Sequence, residues 1–116
     1  MQIDYETAKQ WVEVEIAKAG GDYVYPHRRG CVYVMDGKPS CIVGHVLMNN
    51  GVTDAEFFYY RNNSSFSSIE GSLHRKGVLF SIEAVDYLQH LQDYQDAGRP
   101  WGEAHLLAMS QVDAVL

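Results

Sequence analysis

The sequence has few cysteines, few basic residues and no long apolar run. Two cysteines in 116 residues are too few for the disulfide framework of a small secreted domain, which favours a cytoplasmic protein with reduced thiols. Nine Lys and Arg against 15 Asp and Glu give a net charge of −6, which makes nucleic acid an improbable partner. The apolar runs are far shorter than the roughly 20 residues that span a bilayer, so we expect no membrane partner.

The composition that remains is that of a folded globular protein. Hydrophobic residues make up 47% of the chain and charged residues 21%. The first nine residues, MQIDYETAK, include an acid and lack the apolar stretch of a signal peptide. We predict one domain that spans residues 1–116, because this length suits a single hydrophobic core.

Capping residues and apolar spacing predict helices at both ends of the chain. Asp4 begins a helix that Gly20 ends, and Ser81 begins the longest helix, 82–97. A last helix runs from Pro100 to about residue 114. The short connection predicts that the last two helices form an antiparallel pair.

The middle of the chain is organised around residues 31–51, which read as strand, turn and helix. Residues 31–35 are the best strand, and we expect a hairpin with 22–25. Ser40 is the predicted N-cap of a helix over 41–49.

A second group of short elements is predicted between residues 53 and 80. Thr53 and Glu56 form a capping box before a short helix through residues 57–60, and Ser68 caps a helix over 69–76. Residues 78–80 could add a strand to the hairpin. The fold class is therefore α+β, with about five helices on a small two- or three-stranded antiparallel sheet.

Two cysteines and two histidines around the turn could hold zinc. The set is His27, Cys31, Cys41 and His45, and the last two are four residues apart on one predicted helix. The close pair of cysteines found in most zinc knuckles is absent. The alternative is that these are ordinary buried or surface residues, and we expect no cofactor.

The same region could support thiol chemistry. Cys41 lies at a predicted helix start, where the helix dipole favours thiolate, and His45 lies one turn further on. Asp36 or His27 could orient the histidine. Two residues four positions apart on one helix orient the imidazole poorly toward the thiol, and no oxyanion motif is present. The sequence therefore favours a non-enzymatic protein over an enzyme.

Residues 53–80 resemble a helix-turn-helix with a wing in outline. Arg61, Arg75 and Lys76 are its candidate contacts with DNA. The connection is longer and more polar than a tight turn, and the alternative is two short packing helices.

The eight tyrosines suggest a protein partner. Tyrosine combines a large contact area with a polar tip, which makes it common at binding hot spots. The candidate surface comprises Tyr23, Tyr25, Tyr33, Tyr59 and Tyr60, and the alternative is a core filled with aromatic rings. The acidic pairs Glu13/Glu15 and Asp93/Asp96 are expected on solvated helix faces.

Two segments, CVYVMDGKPSCIVGHVL with the NGV that follows, and QDAGRPWGEA, resemble a family of small uncharacterised proteins of actinobacteria and their phages. The resemblance covers about a quarter of the chain and implies a phage-derived protein of the host cytoplasm, with no activity to carry over. Such proteins often modulate a host protein. We therefore expect a non-enzymatic interaction or regulatory module, with a protein partner that could be a host protein or a second copy of the chain.

Overall fold

Five helices carry most of the described chain. The computed structural model of the protein describes residues 1–26, 32–52 and 64–116. The predicted α+β class is confirmed, and the two C-terminal helices pack against each other. The capping box and helix predicted over residues 53–60 lie outside the described residues. The helices are α1 (Tyr5–Ala19), α2 (Ile42–Asn49), α3 (Phe66–Arg75), α4 (Ile82–Asp96) and α5 (Trp101–Asp113).

None of these helices is long and apolar enough to cross a membrane.

The described strands form two separate pairs of two residues per strand. β1 (Gln2–Ile3) pairs in parallel with β4 (Leu79–Phe80), and β2 (Val34–Met35) pairs antiparallel with β3 (Lys38–Pro39). The predicted hairpin with residues 22–25 is wrong, because those residues hold no strand. The strand at 79–80 also pairs with β1 rather than with a hairpin, so the described residues do not form the single antiparallel sheet that we expected.

A two-residue turn explains the hairpin that does form. Asp36 and Gly37 both have positive φ angles, 54° and 75°. Two successive residues of this kind suit the tight turns whose twist matches that of the flanking strands. The turn therefore brings Pro39 into the ladder, and a two-stranded ladder tolerates the missing N–H at its edge.

Side-chain caps begin α1 and α4 as predicted. The Asp4 carboxylate accepts from the Thr7 N–H at 2.8 Å, and this hydrogen bond lowers the pKa of Asp4. The Ser81 hydroxyl accepts from the Ala84 N–H at 3.1 Å. Each cap satisfies a backbone donor that has no partner inside its own helix.

The caps of the two middle helices differ from the prediction by one and three residues. Cys41, not Ser40, is the N-cap of α2, and its sulfur accepts from the Gly44 N–H at 3.4 Å. Ser65, not Ser68, is the N-cap of α3. Both corrections place an apolar residue at the first helical position, where the core holds it.

Large aromatic side chains fill the core between the helices. Tyr33, Phe66, Tyr87 and Trp101 are each at most 1% exposed and belong to one continuous cluster. The expectation that Tyr33 lies on the surface is wrong, since its ring is fully buried. Its hydroxyl donates to the Ser64 carbonyl at 2.7 Å.

The backbone of α2 lies directly against the strand segment before it. Gly44 is fully buried, and a Cβ at this position would overlap the Tyr33 carbonyl. Because a backbone carbonyl cannot move as a flexible side chain can, only glycine fits this contact.

We therefore predict that Gly44→Ala lowers the free energy of unfolding by about 3 kcal/mol, since the added methyl must push the strand segment away from the helix. Gly71→Ala in α3 is the matched control, because nothing lies within 4 Å of its added Cβ. We expect this control to raise stability by about 0.5–1 kcal/mol, the usual preference of a helix for alanine. Urea unfolding of both variants measures the difference, and equal effects would contradict the close contact.

Candidate binding cleft

An open cleft of about 420 Å³ lies where α1, α2 and α5 meet, and we call it the Trp101 cleft. Its polar lining comes mainly from the first two helices, and its aromatic lining comes from three different elements. Both candidate site residues Tyr23 and His45 line it. The lining residues are Glu15, Lys18, Ala19, Tyr23, His45, Asn49 and Trp101.

Trp101 forms the fixed aromatic side of the cleft. It is 1% exposed, and its indole N–H donates to the Gln95 side-chain oxygen at 3.1 Å. The ring centroids of Tyr23 and His45 lie 4.6 and 5.4 Å from the Trp101 ring, both in edge-to-face geometry. The three rings thus support one another in the arrangement that their quadrupoles favour.

The turn after α1 positions two of these rings. The Tyr23 and Gly21 carbonyls accept from the Trp101 and Gly102 N–H groups at 2.8 and 2.9 Å. These are free donors at the start of α5, which has no side-chain cap. A Cβ at Gly102 would lie 2.8 Å from the Gly21 carbonyl oxygen, so glycine allows this approach.

Glu15 supplies a buried negative charge. It is only 3% exposed, although the sequence predicts a solvated helix face for it. One carboxylate oxygen accepts from the Asn49 amide at 2.9 Å, and the other lies 3.6 Å from the Lys18 ammonium. The latter distance is too long for a hydrogen bond, and Lys18 is itself 62% exposed.

His45 lines the cleft and uses one ring nitrogen to bond the start of its own helix. Its Nδ1 lies 2.9 Å from the Cys41 carbonyl oxygen. A carbonyl only accepts, so Nδ1 carries the proton in this contact and Nε2 keeps a lone pair when the ring is neutral. The i, i+4 spacing therefore directs His45 to the Cys41 backbone.

The predicted tyrosine surface is divided between the surface and the core. Tyr23 is 36% exposed and lines the cleft, and Val24 beside it is 47% exposed. Tyr25 is only 5% exposed, and its hydroxyl lies 2.6 Å from the Ser40 hydroxyl. Burial raises the pKa of Tyr25. Tyr59 and Tyr60 lie outside the described residues.

Cys41 does not present a thiol. Its side chain is fully buried and it is disulfide-bonded, which differs from the expected reduced state. A disulfide sulfur is neither a nucleophile nor a zinc ligand. Among the described residues no three His, Cys, Asp or Glu side chains converge on a metal position. The other half of the proposed zinc set, His27 and Cys31, lies outside the described residues.

We predict that Cys41 resists iodoacetamide in the native protein and is alkylated only after reduction under denaturing conditions. Peptide mapping by mass spectrometry measures both states. Reduction should also lower the free energy of unfolding by about 2–4 kcal/mol, the usual contribution of a native disulfide. Rapid alkylation of Cys41 without a reductant would instead restore the thiol-enzyme hypothesis and agree with a reducing cytoplasm.

Two of the three basic residues predicted to contact DNA, Arg75 and Lys76, lie at the exposed end of α3. Arg75 donates to the Ser72 hydroxyl at 3.2 Å, and Lys76 is the C-cap residue. Arg61 and the whole of the predicted first helix, residues 53–60, lie outside the described residues. The predicted wing strand pairs with β1 instead, so the described residues give the DNA hypothesis no winged hairpin.

A second cleft of about 340 Å³ runs along β1 and β4. Its two polar capping side chains, Asp4 and Ser81, are already bonded to helix N-termini. The Trp101 cleft is the stronger candidate because it combines a buried charge with three aromatic rings.

A separate titratable cluster joins α1, α4 and α5. His105 is 9% exposed, and its Nδ1 lies 2.6 Å from the Tyr87 hydroxyl. Its Nε2 lies 3.6 Å from the exposed carboxylate of Glu13. Burial lowers the pKa of His105 and outweighs the opposing effect of Glu13, while burial raises the pKa of Tyr87.

This cluster predicts a loss of stability in mild acid. The pKa of His105 in the folded chain lies below its ordinary 6.5, so the unfolded chain binds the proton more readily. The free energy of unfolding therefore decreases as the pH falls from above 6.5 towards the lower pKa that His105 has in the folded chain. The decrease is at most about 1.4 kcal/mol per pH unit. Urea unfolding at several pH values should show a steeper loss for the wild type than for His105→Gln. Parallel profiles would contradict the assignment.

The burial of Glu15 could have been predicted from its helical spacing, although its charge suggested an exposed position. Position 15 continues the apolar stripe of Ala8 and Val12, both fully buried, at helical spacing. Charged residues are almost never fully buried without a partner, so a carboxylate on the buried stripe of a helix is informative. It indicates a site, whereas a carboxylate on a solvated face does not. Asn49 and Trp101 gave no such signal, because a helix-ending Asn and a core Trp are ordinary.

No protein-family model, no curated protein and no solved structure matches the chain. The resemblance to actinobacterial and phage proteins therefore stays a prediction.

Proposed function

We propose that the protein is a non-enzymatic interaction module and that the Trp101 cleft receives one side chain of a partner protein. The observation that carries this proposal is the buried Glu15 carboxylate beside the rings of Tyr23 and Trp101 in an open cleft. Pockets of about 300–1,000 Å³ hold small ligands, so a cleft of about 420 Å³ has room for one large side chain.

The groups that could do chemistry are otherwise engaged, which favours binding over catalysis. Cys41 is in a disulfide, and Nδ1 of His45 bonds a backbone carbonyl. Glu15 bonds Asn49. Nucleophilic catalysis needs a nucleophile with a base in hydrogen-bond reach, and these contacts form no such pair.

The surroundings of the cleft suit a protein partner. Tyr23 and Val24 are adjacent, exposed and held on a turn that is fixed to α5. An exposed tyrosine beside a pocket is common at binding hot spots. If the chain derives from a phage, as the resemblance implies, the partner is a host protein in the cytoplasm. A second copy of the chain is the other partner we expected.

We predict that Ala19→Trp abolishes partner binding by filling the cleft. Ala19 is exposed and lines the cleft at the last residue of α1, so the larger ring should enter it without disturbing the core. Ala17→Trp is the matched control, because Ala17 is exposed on the same helix but does not line the cleft. Tagged wild type, A17W and A19W are used to capture partners from host lysate, with quantitative mass spectrometry.

The proposal requires a protein that wild type and A17W retain and A19W loses at least tenfold. Size-exclusion chromatography of the three variants tests the second-copy alternative in the same way. Equal recovery with A17W and A19W, together with an unchanged oligomeric state, would overturn the role of the cleft.

A further inference from the structure

We infer that the side chain received by the Trp101 cleft is an arginine of the partner. This inference rests on the proposed function and names the chemistry of the bound group. It follows from three features of the cleft: a buried carboxylate with spare acceptor capacity, aromatic walls, and a weakly held lysine at the rim.

The first feature is the unfilled acceptor capacity of Glu15. An ionised carboxylate has about four acceptor positions. Asn49 fills one of them at 2.9 Å, and Lys18 lies at 3.6 Å from the second oxygen, beyond hydrogen-bond distance. A guanidinium offers five N–H donors in a planar fork, which suits a carboxylate that still has free lone pairs.

The second feature is the aromatic wall. Tyr23 and His45 line the cleft and stand edge-to-face to Trp101, which fixes the orientation of their ring faces. A guanidinium stacks on such faces and is more weakly hydrated than an ammonium, so its burial costs less. The net charge of −6 also attracts a cationic segment over longer range.

The third feature decides between a cation and an anion. Lys18 is 62% exposed and lies 3.6 Å from a carboxylate that is 3% exposed. An incoming anion would meet Glu15 at the buried side of the cleft, where repulsion is strong. An incoming cation needs only to displace Lys18, whose flexible stem lets the ammonium return to water. Lys18 therefore acts as a competitor for the site.

The test uses three peptides that differ at one side chain: acetyl-Gly-Arg-Gly-amide, its citrulline analogue, and its glutamate analogue. Citrulline keeps the shape of arginine and removes its charge. Nuclear magnetic resonance follows the indole N–H signal of Trp101 during titration at low salt. Trp11 provides the only other indole signal, and it serves as the internal reference because it does not line the cleft.

We expect the arginine peptide to shift the Trp101 signal and to bind at least tenfold more tightly than the citrulline peptide, with no binding of the glutamate peptide. Glu15→Gln should weaken arginine binding about ten- to hundredfold, since a hydrogen bond to a charged group is lost. It should leave citrulline binding unchanged, because the amide oxygen can still accept from Asn49. Lys18→Met should strengthen arginine binding several-fold.

Glu13→Gln is the matched control for charge. Glu13 is on the same helix, 59% exposed and outside the cleft, so this variant should keep arginine binding within about twofold. Should E15Q not fold, the comparison of arginine with citrulline on the wild type decides alone.

Equal binding of arginine and citrulline, or binding of the glutamate peptide that Lys18→Met abolishes, would overturn the inference. So would the absence of any Trp101 shift with the arginine peptide. If A19W still loses a partner in those cases, the proposed function stands and only the arginine assignment fails. If A19W loses nothing, the proposed function fails first.

Discussion

The fold depends on hydrogen bonds that the first backbone N–H groups of two helices donate to glutamine side chains of a third helix. Gln95 of α4 accepts from the Ile42 N–H at 2.9 Å, and Gln92 accepts from the Phe66 N–H at 2.8 Å. Both glutamines are 2% exposed. Unsatisfied donors at buried helix ends cost free energy, so these contacts fix where α2 and α3 begin and how they dock on α4.

The side-chain oxygen of Gln95 also connects the start of α2 to the Trp101 cleft. Oε1 of Gln95 accepts from both the Ile42 N–H and the Trp101 indole N–H, at 2.9 and 3.1 Å. It therefore ties the start of α2 to the aromatic side of the cleft. Because His45 lies one turn into α2, its distance from Trp101 is set by rigid elements. A site held this way loses little conformational entropy on binding.

The sequence predicted the elements whose signals are local. Asp4 and Ser81 cap the helices that they precede, as a single hydrogen bond over three residues allows. It did not predict contacts between distant residues. Cys41 replaces Ser40 as a cap because the Ser40 hydroxyl is bonded to Tyr25 in the core, and Glu15 is buried because Asn49 meets it from another helix. The glutamines of α4 are also ordinary helix-forming residues, so the sequence alone does not predict their hydrogen bonds to other helices.

The burial of Glu15 is difficult to explain by stability alone. Taking a carboxylate out of water costs several kcal/mol, and one amide hydrogen bond with a distant lysine offsets only part of that cost. Replacing a buried charge by an apolar side chain of similar volume is often neutral or stabilising. An apolar residue would also continue the stripe of Ala8 and Val12. The arginine that we propose would supply the hydrogen-bond donors that this carboxylate does not receive from Lys18, so we explain its burial by binding rather than by folding.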